Sequence, residues 1–184
     1  MNTQPWEFTV VTGEVLDKIR QGNLEKLATF AGRHSFMPRL GYQGIYKQRS
    51  IDLAIEIFRL MDIAREDIAK RTEWMQRGFR FFDAPAAILI SMDRSLEGTW
   101  AMFDMGVVAH AICIAALEYG LGTCIEDQGI AFPEVIRECT GIPESKEIVI
   151  AVAIGYPDEN FPANELRSKR EGMANMTTWH GFSE

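Results

Sequence analysis

The chain has 184 residues and a mass of 20.8 kDa, carries a formal charge of −7 with a pI near 5.1, and is 47% apolar and 24% charged. This is enough chain for one domain with a sizeable core and is not the composition of a disordered polymer; the acidic balance argues against a nucleic-acid surface, which needs clustered Lys and Arg. Cys113, Cys124 and Cys139 have no C-x-x-C spacing, so neither a disulfide framework nor a zinc site is read, no metal is expected, and reduced thiols in a cytoplasm fit.

Glu7 to Thr12 mixes aromatic and β-branched residues and meets Gly13, which reads as a strand entering a turn. From Glu14 the positions Val15, Leu16, Ile19, Leu24, Leu27, Ala28 and Ala31 follow a helical stripe, with Gly22 expected to break or bend it and Gly32 to stop it. Residues 33 to 50 show no sustained period and read as a long irregular loop. Helix returns over 51 to 78 in two segments, one with Ile51, Leu53, Ala54, Ile57, Phe58 and Met61 on a face, the other with Ile68, Trp74 and Met75 after Arg65-Glu66-Asp67. On its own residues, 33–78 is a loop and a helical hairpin.

Ala84 to Ser91 is a continuous apolar strand with Pro85 at its entry. Thr99 to Tyr119 is a helix about 30 Å long whose apolar surface is interrupted by Asp104, His110 and Glu118. Those ionisable residues and the lack of flanking basic clusters argue against a membrane span. A helix apolar all round must be buried, in the core of the domain or against a second copy. Gly120 ends it, Thr123 to Ile125 reads as a short strand, Pro133 starts a helix to about Thr140, and Gly141-Ile142-Pro143 closes that helix. Glu147 to Tyr156 is the clearest buried strand. The polar tail beyond Pro157 carries Trp179 and Phe182, which suggest docking.

No nucleophile elbow, Walker loop or G-x-G-x-x-G is present. The histidines are His34, His110 and His180, and His110 on its apolar helix reads as a core residue. Few candidate acids or bases suit an enzyme whose reactive group is a cofactor. Asn2 and Gln4 offer amide donors and acceptors, either as a turn capping its own backbone or as ligands. Arg167, Lys169 and Arg170 are a basic cluster in an acidic chain, either a solvated face or an anion site. Glu126 and Asp127 could also be carboxylates placed before a helix start.

The opening run Asn2-Thr3-Gln4-Pro5-Trp6-Glu7-Phe8 before an apolar strand resembles the flavin-contacting loop of the nitroreductase family of FMN-dependent oxidoreductases. The resemblance extends through Phe81-Phe82-Asp83-Ala84-Pro85, the helix from Thr99, Gly120-Leu121-Gly122-Thr123, Gly141-Ile142-Pro143, Ile154-Gly155-Tyr156-Pro157 and the tail from Arg167 to Phe182. It implies an α+β three-layer sandwich, with a central mixed sheet, helices on both faces and a long buried central helix, acting as a cytoplasmic homodimer with FMN at the subunit interface and no membrane. Family members carry a further N-terminal segment with an Arg-Ser-x-Arg phosphate site, so Met1 reads as an internal methionine and 1–184 as one N-terminally truncated domain, with 33–78 as a helical cap insertion.

By the same resemblance Asn2 and Gln4 face the flavin, backbone amides of Ile125, Glu126 and Asp127 lie against its N5 region, and Arg170 and Arg167 take its phosphate. Arg80 is either a cation near the ring, countering negative charge there, or a surface arginine. Phe36, Tyr42, Tyr46 and Trp74 could stack on a planar substrate or simply pack. The implied activity is transfer of a hydride from NAD(P)H through FMN to an electron-poor acceptor, a nitroaromatic or quinone, in ping-pong fashion. The alternatives are a truncated non-catalytic flavin-binding or structural dimer, and flavin-dependent reduction of an activated alkene or carbon–halogen bond.

Overall fold

A computed structural model describes residues 2–30, 41–96 and 98–182. The chain forms two compact units, one from 1–38 and 65–157 and one from 39–64 and 158–184.

The first unit is built on four strands, β1 (Trp6–Thr12), β2 (Ala86–Asp93), β3 (Gly122–Glu126) and β4 (Lys146–Gly155), in the spatial order β1-β2-β4-β3. All three pairings are antiparallel, so the mixed sheet expected from the resemblance is antiparallel among the described residues, while the α+β layering holds. Alternation along β2 sends Ala87 and Leu89 to one face and Ile88, Ile90 and Met92 to the other. A bulge between Ile90 and Ser91 shifts the register against β4, so that Ile150 pairs with Ile90 and Ile148 with Ser91. Val149 is the extra residue, and it joins Ile150 on the second face.

Three helices close the first face. α1 (Gly13–Phe30) lays Leu16, Ile19, Asn23 and Leu27 inward at helical spacing, beside Phe79 from α3 (Ile68–Phe79) and Val135 and Ile136 from α5 (Pro133–Thr140). Gly22 does not break α1. A Cβ there would lie 2.6 Å from Val135 Cγ1, so the missing side chain admits α5, and close packing outweighs the weak helix propensity of glycine. The Asp67 carboxylate accepts from the Lys70 backbone N–H at 2.9 Å and starts α3. Gly141 ends α5 at φ +76°, the left-handed cap that glycine adopts without strain.

The second face carries one helix, α4 (Thr99–Leu117). Met105, Ala109 and Ala116 are buried, with Val108 and Ile112 packed beside Ile90, Met92 and Val152. The rest of its surface is open: Trp100 is 78% exposed, Phe103 61% and Leu117 65%, with Met102, Val107 and Ile114 exposed beside them. The helix expected to be buried all round is therefore covered on one stripe by its own chain, and of the two alternatives the domain core is not the one that buries the remainder. His110, read as a core residue, is exposed on it.

The second unit holds α2 (Gly44–Leu60) and a tail with one short turn of helix, α6 (Met173–Met176). α2 starts inside the stretch read as loop, because Gly41, Tyr42 and Gly44 hid a helix whose polar surface lacks a strong period. The Arg49 guanidinium donates to Glu171 at 2.6 Å, tying helix to tail. Trp179 and Phe182 stack edge to face, 5.3 Å between centroids, and both stay exposed; the docking expected of them is not present among the described residues.

Candidate functional site

The register places the loop before β1 and the exit of β3 at one end of the sheet but on opposite edges. Three strand spacings separate those edges, about 14 Å. Asn2 and Gln4 are exposed, and their amides have no partner among the described residues. Gln4 is held at φ +45°, a left-handed conformation that turns the loop just before Pro5. Thr3 Oγ1 lies 3.5 Å from Asp104 Oδ2, which sets this loop beside α4. On the other edge Ile125 pairs with Val152 and shares its face, the α4 side, where it is exposed. Glu126 pairs with Ala151 and turns its side chain into the closed face. Within one copy the N-terminal amides and residues 125–127 are not brought together; both border the open apolar surface of α4.

Glu126 is buried, and its Oε2 accepts from the Gly129 backbone N–H at 2.7 Å. Burial pushes the carboxyl up to about 7, and the neighbouring Asp127 charge adds to this against two backbone donors that oppose it. Asp127 precedes the short 3-10 turn Gln128–Ile130, and its carbonyl accepts from Ile130 N–H. Asn23, on α1, reaches the same turn: its Nδ2 donates to the Gly129 carbonyl at 2.8 Å and to Phe79 O at 3.0 Å. Sequence reading missed Asn23, although an amide four residues from both Ile19 and Leu27 in an apolar stripe is a signal that something on the facing element needs a partner.

Arg80 is engaged within the chain. Its guanidinium donates to Asp83 at 2.8 Å and to Glu73 at 2.7 Å, and those hydrogen bonds, Asp83 first, hold its pKa further above the ordinary arginine range. The group stands at a turn where Phe81, Phe82 and Asp83 all have positive φ, between +52° and +61°, a costly run for residues with side chains. Arg20 holds the turn's two ends, donating to the carbonyls of Arg80 and Ala84, while Arg77 lies 3.4 Å from Asp83. Arg80 thus ties this turn to α3 through Nε and Nη2, and its side chain is largely covered.

In the second unit Arg167 and Arg170 are exposed. Arg167 donates to the carbonyls of Asn164 and Leu166, and Arg170 to Ser168 Oγ at 2.6 Å; among the described residues no carboxylate neutralises either. Tyr42 and Tyr46 are exposed in the same unit, with the Arg49 guanidinium 5.8 Å from the Tyr46 ring centroid, whereas Trp74 is half-buried on α3 in the first unit. Phe36 lies outside the described residues. A groove between α1 and α5, lined by Lys18, Gln21, Glu25, Lys26 and Glu138, shares none of these positions.

Comparison with known proteins matches residues 1–156 to the model of the Nitroreductase family. The chain is 30% identical over 183 residues to the nitrobenzene nitroreductase of Ectopseudomonas oleovorans, covering 97% of this chain and 79% of that protein. It is 28% identical to the chloronitrobenzene nitroreductase of Comamonas testosteroni over the same shares. Among solved structures, the FMN and NADPH-dependent nitroreductase NfnB from a Sphigopyxis strain superposes with a TM-score of 0.88 at 27% identity, covering 98% of this chain and 82% of that one.

Proposed function

The chain belongs to the nitroreductase family, and from that premise we propose that it uses FMN to pass electrons from NAD(P)H to a nitroaromatic acceptor. The observation that carries the reading is similarity along nearly the whole chain to reductases named for nitrobenzene and chloronitrobenzene. When bound, FMN supplies the two-electron relay that no side chain here provides.

The donor sets fit this group in kind. The amides of Asn2 and Gln4, unpartnered among the described residues, match the alternating donors and acceptors of an isoalloxazine edge or ribityl chain. The main chain of Ile125, Glu126 and Asp127, bordering the open face of α4, would meet the ring. In the second unit Arg167 and Arg170, with no carboxylate partner among the described residues, suit a phosphate dianion through paired charge-assisted hydrogen bonds. Arg80 would have to leave Asp83 and Glu73 to counter charge on the ring. Tyr42 and Tyr46, exposed in the second unit, are the rings placed to stack on a planar acceptor.

A second copy of the chain covers α4 in this reading. By length and composition alone that helix could cross a membrane, but Met105 and Ala109 pack on the sheet, and the exposed apolar remainder is of a kind that marks a protein interface. Because Asn2 and Gln4 stand across the sheet from 125–127, a homodimer joined at α4 lets one copy's amides serve the other's β3. The assembly is read as a cytoplasmic enzyme, with the physiological acceptor among nitroarenes or quinones.

Purified protein tests this directly. It should be yellow or bind added FMN, and should consume NAD(P)H when nitrobenzene is supplied. Arg167→Ala and Arg170→Ala should each weaken FMN binding about tenfold, the loss of one charge-assisted contact, without altering the folded state. Colourless folded dimer that FMN cannot titrate would overturn the proposal in favour of a non-catalytic module.

A further inference from the structure

The turn that leaves β3 is anchored as core. Its middle residue, Gly129, is buried, and both main-chain polar groups of that residue are taken by buried side chains, the N–H by Glu126 and the carbonyl by Asn23. The fit is tight on all sides. A Cβ on Gly129 would stand 2.5 Å from Glu126 Oε1 and 2.6 Å from the Phe81 ring, and one on Gly78 would collide with the Gln128 side chain.

Around this turn two buried oxygens, Asn23 Oδ1 and Glu126 Oε1, have no hydrogen-bond partner. Acceptors therefore outnumber donors, an arrangement that disfavours a carboxylate and favours a carboxylic acid, whose O–H supplies the missing donor. The facing groups agree. On its own strand and just beyond it Glu126 meets the Cys124 thiol and Asp127; α1 presents the neutral amide of Asn23; the 80–83 turn presents the Phe81 ring; β4 presents Ala151. No cation among the described residues offsets it, and burial with Asp127 already lifts it to about 7.

We propose that Glu126 is a positioning residue that works as a proton-controlled latch: protonated, it locks residues 126–130 against α1 and the Phe81 turn, and ionised, it loosens them together with the main-chain face offered to the cofactor. The last clause rests on the reading of 125–127 as an FMN contact. The isosteric variant Glu126→Gln carries the extra donor at every pH and keeps the latch closed.

Hydrogen exchange of the full chain, with and without FMN, tests the latch. Protection of the Gly129 and Ile130 amides, corrected for intrinsic rates, should fall about tenfold as pH rises from about 6 to 8.5, and should stay level in Glu126→Gln. Level protection in the native protein, or an equal fall in Glu126→Gln, would overturn it. If that variant fails to fold, carbon-13 carboxyl titration of glutamate-labelled native protein decides: one glutamate with a midpoint near 7, moving together with the Gly129 amide, supports the latch, and all glutamates below about 5.5 refute it. FMN affinity should weaken several-fold over the same pH range. A step in protection with unchanged FMN affinity would leave the latch standing and overturn the placement of the cofactor against 125–127.

Discussion

The two faces of the sheet solve burial differently. Behind the face of Ala87 and Leu89, three helices from one chain meet, and even polar groups such as Asn23 and Glu126 are interior. Over the face of Ile90 and Met92 a single helix lies with a mean hydropathy high enough for a membrane span, yet only 17% of that segment is buried. Apolar surface is left uncovered at a substantial free-energy cost unless something else covers it. The closed face is a finished core; the open face is left apolar and uncovered by its own chain.

The largest expected effects separate the faces by kind. Phe103→Glu or Val107→Glu on the open face should raise the monomer–dimer dissociation constant about a thousandfold, since each would place an unpaired charge inside an apolar interface. Sedimentation should show monomers that keep native circular dichroism. Leu89→Ala on the closed face, where the side chain is fully buried, should instead cost about 2–5 kcal/mol of unfolding free energy. A Phe103→Glu protein that stays dimeric would remove α4 from the interface and leave the open face without an occupant.

Elements of the closed face were legible because each carries a local signal: the period of α1, the apolar run of β4, Pro133 and Gly141 bracketing α5. Two features were not. Gly22 reads as a helix breaker until Val135 is seen against it, and the engagement of Arg80 depends on Glu73, seven residues away on α3, and on a left-handed turn that nothing in Phe81-Phe82-Asp83 announces. The open face was half legible, since all-round apolarity says that α4 must be covered without saying by what. At the proposed site Asn2, Gln4, Arg167 and Arg170 stand out in the sequence as residue types, while no local pattern says whether they act together.

The closed face also predicts a pH dependence of opposite sign to ordinary acid denaturation. Glu126 titrates near 4.5 in the unfolded chain and near 7 when folded, so between those values the folded state binds more protons. Its contribution is complete below about pH 4.5 and is lost as pH rises through 7, an amount of about 3 kcal/mol. Asp93, held near 2 by hydrogen bonds from Ser95 and then Lys146, acts only at the acid end and does not mask it. Urea unfolding of native protein should show stability falling between about pH 5 and 8, and Glu126→Gln should show no such fall. A fall that persists in the variant would assign the proton to another group.

The smallest effect tests how tightly the closed face is made. Alanine is the better helix former at position 22 by about 1 kcal/mol, yet its Cβ would meet Val135 Cγ1 at 2.6 Å, and overpacking costs about 1–3 kcal/mol. Clash should win in the native background, leaving Gly22→Ala less stable by about 1 kcal/mol. In a Val135→Ala background the obstacle is gone, and the same substitution should stabilise by up to about 1 kcal/mol. The sign reversal is the diagnostic, because propensity alone gives the same sign in both backgrounds. Stabilisation in both would mean that Val135 turns aside at little cost and that α1 and α5 are not locked at this crossing.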